Sequence, residues 1–252
     1  MNTFRKLLYY IAPPRCVFCK ERTPIDSTVL CHICKEKYDD ALRRNCSVCA
    51  KPLYECTCPN DYLDSHYVHK CIKVFRYLPD NELPTNSLIF SLKRDNRHDV
   101  LDMLSQELAD AIKFNLKNYE SYVMTSVPRR KSAISKYGFD HAKILGKAIS
   151  EKLGLKYINA LKSNVKREQK FSMSREERFK NLKFNIRKKS IDLSGQNVII
   201  VDDIITTGAS MGACAMLLKS VGAKRIVGAS LAIAYKDPYI KFETDERFAI
   251  KK

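Results

Sequence analysis

The chain has 252 residues, 45% of them hydrophobic, and a formal net charge of +17. That is enough apolar material for a real core, in one large domain or in a medium domain with a small one beside it. No run of about 18 apolar residues occurs, which excludes a membrane-spanning helix.

In chain order, Met1–Ala12 carries charge at Arg5 and Lys6 and a short apolar patch, closed by Pro13-Pro14-Arg15. No convincing small-residue cleavage site follows. The reading is a cytoplasmic protein, with a signal peptide as the alternative.

Nine of the ten cysteines lie in the first 71 residues. Cysteine so front-loaded in a cytosolic-looking chain argues for metal rather than disulfides. Cys16-x-x-Cys19 and Cys31-x-x-Cys34 make two knuckles, and two knuckles close a tetrahedral Cys₄ site for structural Zn²⁺. Cys46-x-x-Cys49 and Cys56-x-Cys58 form a second set whose last pair has one intervening residue. It reads either as a second Zn²⁺ site or as a partly degenerate copy. His32, His66, His69 and Cys71 are substitute ligands, although a surface or packing role is the ordinary one for each histidine. So short and polar a segment needs metal to fold. Residues 1–71 are therefore expected to be a zinc-binding module, and 72–252 a second domain.

Lys35–Arg44 reads as a short helix and Tyr67–Tyr77 as an alternating strand. Pro79–Pro84 is a loop. Thr85–Leu92 and Asp99–Leu116 are helical by period. Lys93 and Arg97, between them, suit phosphate or single-stranded nucleic acid, or else a solvated helix end. Tyr122–Val127 is a strand that stops at Pro128. The basic turn Arg129-Arg130-Lys131 follows, then a helix from His141 to Leu153. Cations at the carboxyl end of a strand suit a pyrophosphate; the bland alternative is a basic surface loop.

Residues 162–194 hold eleven Lys/Arg against four Asp/Glu, and residues 195–252 hold eight against six. The excess reads as a phosphate-binding surface or as the ordinary charge of a soluble, basic protein. Ser163–Asn185 is expected to be a mobile loop ending in a helical turn at Ser174–Phe179, with Ser174 and Glu177 spaced as a capping box. Long charged loops inside compact domains are usually lids or insertions. Within it, Lys166, Arg167, Lys170, Arg175 and Arg178 are candidates for binding single-stranded DNA. Tyr137, Phe139, Phe171 and Phe179 stand among the cations, where they would stack on bases or pack in the core.

Val198–Ser210 reads Val-Ile-Ile-Val-Asp-Asp-Ile-Ile-Thr-Thr-Gly-Ala-Ser. Four apolar residues suit a strand buried on both faces. Two carboxylates, Asp202 and Asp203, follow where such a strand would emerge. After the Thr206–Ser210 turn, Met211–Val221 reads as a helix. N–H groups at a helix start form an anion site favoured by the helix dipole. Gly208 permits close backbone approach, and hydroxyls of Thr206, Thr207 and Ser210 can donate to phosphate oxygens. The stretch therefore reads as a holder for phosphate on one side and sugar hydroxyls on the other. Gly222–Ala234 supplies a last core strand, and Lys236–Lys252 a loosely held tail.

That stretch resembles the 5-phosphoribosyl-1-pyrophosphate (PRPP) motif of type I phosphoribosyltransferases. The resemblance implies a parallel sheet with helices on both faces. It also implies that Asp202 and Asp203 take the ribose hydroxyls, and that Ile204 and Thr206–Ser210, with Ala209 among them, hold the 5′-phosphate. Arg129, Arg130 and Lys131 would face the pyrophosphate, and Mg²⁺ would accompany PRPP. Several further features look like the competence protein F (ComF) family. These are the double zinc-ribbon-like head, Leu92-Lys93, Val127-Pro128, Gly138-Phe139 and the Gln169…Ser174-Arg175…Arg178…Asn181…Phe184 series. The family usually has Leu-His where this chain has Arg129-Arg130, and Arg-Gly-Phe-Asn-Gln where it has Tyr137–His141. The resemblance implies a role in natural transformation, handling incoming single-stranded DNA on the cytoplasmic side, alongside proteins of the uptake machinery. The alternative is an active Mg²⁺-dependent phosphoribosyltransferase that acts on an unidentified acceptor.

Overall fold

The computed structural model describes Tyr9, Ile11 and residues 13–24, 29–77, 83–95, 97–163 and 184–234. The expected lid, its helical turn with Phe171 and Phe179, and the tail beyond 234 lie outside the described residues.

Four parallel strands carry the fold. In chain order they are β1 (Val68–Arg76), β2 (Tyr122–Ser126), β5 (Asn197–Ile205) and β6 (Arg225–Ile233), arranged β1-β6-β5-β2. A separate antiparallel pair, β3 (Leu161–Ser163) and β4 (Phe184–Ile186), brackets the undescribed segment. The helices are α1 (His32–Leu42), α2 (Asp61–Asp64), α3 (Pro84–Arg94), α4 (His98–Asn115), α5 (Lys131–Tyr137), α6 (His141–Leu153) and α7 (Ala209–Ser220).

β5 shows why the sheet is buried on both faces. Ile199 and Val201 enter one core with Leu104 and Ile112 of α4 and Leu145 and Ile149 of α6. Val198 and Ile200 enter the other with Met211, Cys214 and Leu218 of α7. Alternation on a pleated strand sends successive side chains to opposite faces. Each such residue, once fully buried, contributes about 1.5–3 kcal/mol.

The cysteine-rich head is built into these cores. Cys16, Val17, Leu30, Cys34 and Tyr38 share a cluster with Ile72, Phe75 and Leu104. Tyr38, fully buried, sits edge-on to Phe75 with ring centres 6.2 Å apart. Leu63 of α2 belongs to the opposite cluster. The position expected for a domain boundary, 71/72, falls inside β1.

Three elements differ in extent from the sequence expectation. β5 runs on to Ile205, so Asp202 and Asp203 are strand residues rather than the first residues beyond it. α7 starts at Ala209, directly after Gly208. Residues 131–137 form a helix that takes in Lys131, the last residue of the expected basic turn, and is closed by Gly138 at φ +79°. A left-handed C-terminal glycine is the usual helix stop.

Candidate functional site

β5 and α7 meet in the turn Thr206–Gly208. Thr206, Thr207, Ala209 and Ser210 are exposed there, while Gly208 is buried. Gly208 caps α7 at φ +80°, and no side chain caps the helix. Its first-turn N–H groups therefore open onto the turn, as at an anion-binding helix start. The first of them, the Ala209 N–H, donates to Oγ1 of Thr207 at 3.3 Å.

The glycine serves a second purpose that the sequence did not reveal. A Cβ on Gly208 would come 2.8 Å from Cγ of Leu63 and 3.2 Å from Oδ1 of Asn60. One turn on, a Cβ on Gly212 would come 2.8 Å from Cε1 of Tyr62. Asn60 also donates from Nδ2 to the carbonyl of Thr207 at 3.2 Å, while its Oδ1 accepts from the Leu63 N–H at 2.9 Å. The head thus lies against the Thr206–Gly208 turn. The close approach that excludes a side chain at 208 is the approach of the head.

Asp203 is the charge centre of the site. Its side chain is 3% exposed, and Oδ2 lies 3.2 Å from Nζ of Lys93 and 2.8 Å from Nε2 of His141. The Arg129 guanidinium donates to the same oxygen. Oδ1 accepts the Ile204 N–H at 2.7 Å. Burial would raise its pKa, but the His141 hydrogen bond and the Lys93 and Arg129 charges outweigh burial. Its carboxyl is held far below the usual carboxylate range. Asp202 is half-buried, and burial and the adjoining Asp203 charge push it the other way.

The structure brings Asp202, Asp203, Ile204, the 206–210 turn and Arg129 to one end of the sheet. Arg130 is exposed, and of Lys131 only the backbone is described. Lys93, read as suited to phosphate or single-stranded nucleic acid or as a solvated helix end, stands against Asp203. Arg97 pairs with Asp99 at 2.6 Å. Lys166, Arg167, Lys170, Arg175 and Arg178 lie outside the described residues. Sequence reasoning missed His141 as a partner of Asp203. The one signal was that Tyr137–His141 departs from the family pattern where Arg129 does. Phe139 packs edge-on to His141, at 6.4 Å between ring centres.

All eight expected cysteine ligands gather into two groups, Cys16/Cys19/Cys31/Cys34 and Cys46/Cys49/Cys56/Cys58. Within each, the sulfurs lie within 4.8 Å of one another. Two sulfur tetrads of that size suit a tetrahedral ion. The knuckles repeat in detail. The Cys16 N–H bonds Glu21 and the Cys46 N–H bonds Lys51; the Lys20 N–H bonds Cys16 and the Ala50 N–H bonds Cys46. Lys20 and Ala50 both adopt positive φ, 66° and 57°. The second set is therefore a faithful copy of the first at its knuckle. His32, His66, His69 and Cys71 join neither group. His66 stacks on Tyr62 and His69 pairs with Asp64.

Residues 133–241 match the phosphoribosyl transferase domain family. Competence protein F of Haemophilus influenzae is 24% identical over 220 residues, 84% of this chain and 93% of that protein. Competence protein ComFC of Streptococcus pneumoniae is 26% identical over 213 residues, 82% of this chain and 88% of that one. The ribose-phosphate pyrophosphokinase of Thermococcus kodakarensis is 34% identical over 80 residues, 32% of this chain. The chain spans 24% of that kinase and 55% of the adenine phosphoribosyltransferase of Rhodococcus jostii, which it matches at 29% identity over 40% of its own length. Among solved structures, the glutamine PRPP amidotransferase from B. subtilis aligns with a TM-score of 0.40 at 19% identity. That alignment covers 56% of this chain and 30% of the amidotransferase.

The chain is thus a type I phosphoribosyltransferase-fold protein with a cysteine-rich head. Within that class its likeness is to the competence protein F (ComF) family, which it matches over most of its length. Among the described residues no helix is long and apolar enough to cross a membrane.

Proposed function

We propose that this chain binds PRPP with Mg²⁺ and works in natural competence, handling incoming single-stranded DNA in the cytoplasm with the uptake machinery. The observation that carries the ligand reading is the uncapped start of α7 beside the cations around Asp203. The 5′-phosphate would take the Thr206–Ser210 turn, and the ribose hydroxyls Asp202 and Asp203. Arg129 and Lys93 are 29% and 23% exposed, so they can turn from Asp203 to a pyrophosphate without unburying it. Arg130 and Lys131 would add positive charge. Mg²⁺, bound along with PRPP, would offset the negative charge of the pyrophosphate. Zn²⁺ would hold the two cysteine groups.

The competence reading is supported by the two ComF relatives, and the DNA reading by the cation excess over 162–194. Calorimetric titration of PRPP with Mg²⁺ tests the ligand; loss of binding in Asp202→Asn is expected, and unchanged binding would refute the ribose assignment. Fluorescence anisotropy of a labelled single strand across salt tests the DNA role. Its log–log slope should be about −0.7 per phosphate contact. Reversing Lys166, Arg167 and Lys170 to Glu should weaken all sequences alike. Pyrophosphate release with a panel of bases would favour the alternative, an active transferase.

A further inference from the structure

Lys73, in the middle of β1, is fully buried. Its neighbours Ile72 and Val74 point into the core shared with α4. Alternation sends Lys73 to the other face, with Cys71, beneath the second cysteine group. There Nζ donates to the carbonyl of Cys58 at 2.7 Å and to that of Cys71 at 3.3 Å. Among the described residues no carboxylate pairs with it.

An ammonium taken out of water with no carboxylate partner is strongly disfavoured unless another anion lies nearby. The cysteine group is the candidate. The Cys56 side chain is a hydrogen-bond partner of Lys73. Four thiolates around one divalent cation leave two negative charges in excess. In the first group Cys19 is exposed, so water can screen that excess. In the second group Cys46 and Cys56 are buried and no member is exposed. With Cys49 and Cys58 half-buried, less of its excess meets water and more falls to groups inside the protein.

We propose that Lys73 is the internal counter-charge of a second metal centre at Cys46, Cys49, Cys56 and Cys58, and that it ties the Cys58 backbone to the main sheet. This rests on the reading that the second group holds Zn²⁺. Lys73 is a positioning residue and not a ligand, because an ammonium has no lone pair to give. The centre is thereby anchored to β1 through Nζ as well as through the main-chain bond from the Cys71 N–H to Thr57, 2.8 Å long.

The test is chelator competition on the full chain, counting zinc released. Wild type should yield two ions per chain. Lys73→Met removes the charge at similar length and should weaken one ion about 10- to 100-fold, the usual effect of losing a partner behind the ligands. The other ion should keep wild-type affinity and so report a folded head. Lys73→Arg keeps the charge and should keep both ions. The proposal is overturned if the Met variant holds both ions as wild type does. It is equally overturned if that variant loses both together, as in a general collapse, or if Arg loses the second ion as readily as Met. A wild-type chain with a single ion is a separate failure, that of the metal reading itself.

Discussion

Oδ2 of Asp203 stands 2.8 Å from Nε2 of His141, and both side chains are 3% exposed. With Lys93 and Arg129 on the same oxygen, the carboxylate holds a buried cluster together. Strand-end carboxylates are normally dispensable for folding, but this one is not at the surface. Asp203→Asn leaves the part-exposed Lys93 and Arg129 short of a counter-charge beside a buried amide and should cost about 1–3 kcal/mol. Urea unfolding checks it; wild-type stability would show that the cluster contributes nothing.

The two neighbouring carboxyls should give opposite pH signatures. Asp203 is depressed, so its stabilisation is present above the unfolded value of about 3.9 and is lost as pH falls through the folded one. Asp202 is raised by burial and by the Asp203 charge, despite Arg129. Between about 3.9 and its raised folded value, its ionisation removes stability as pH rises. Asp202→Asn should therefore flatten that fall. Melting temperature across a pH series reads it out, and a slope unchanged from wild type would sink the idea.

The contact between the head and the Thr206–Gly208 turn is open to a double-mutant cycle. Gly208→Ala puts a Cβ at positive φ and into Leu63, and should cost about 1–3 kcal/mol. Leu63→Ala removes the atom it would strike. The pair should then cost less than the sum of the singles, by about 0.5–3 kcal/mol. Strict additivity would mean that the two residues do not meet.

Loss of the first cysteine group should be felt across the whole molecule. Val17, Leu30 and Tyr38 share a core with β1 and α4. Cys16→Ser with Cys19→Ser is expected to lower the stability of the chain as one unit, with a single calorimetric transition. A head that melts alone while the sheet keeps its wild-type midpoint would contradict this.

Much of this architecture was legible because the signals are local. The Val198–Val201 run named a strand buried on both faces, and the Cys-x-x-Cys spacing named the knuckles. The helix at 141–153 was bounded by Asp140, whose side chain accepts the Lys143 N–H at 3.1 Å. What stayed hidden depends on distant segments. The partners of Asp203 come from 93, 129 and 141, and no short window holds them together. Lys73 sits where an alternating strand would show a solvent-facing charge, and only the fold reveals cysteines above it. Gly208 signalled a close approach, but not that Leu63, far away in the chain, is among the residues that make it. The 131–137 helix was missed because Arg129-Arg130-Lys131 reads as a charged turn and no side chain caps its start.

Among the described residues β1 has a single neighbour in the sheet, β6, with Val68 opposite Ile226 and Arg76 opposite Ile233. During synthesis the head and β1 therefore leave the ribosome long before the strand that completes them. Pairing between such distant segments closes a long loop before it gains contacts, and folding is slow. Until then β1 is an unpaired apolar edge, open to wrong partners. A head that fastens early on metal would hold that edge by Lys73 and Cys71 while the rest of the chain is made. The cysteine groups then act as an assembly jig as well as a fixture of the finished protein.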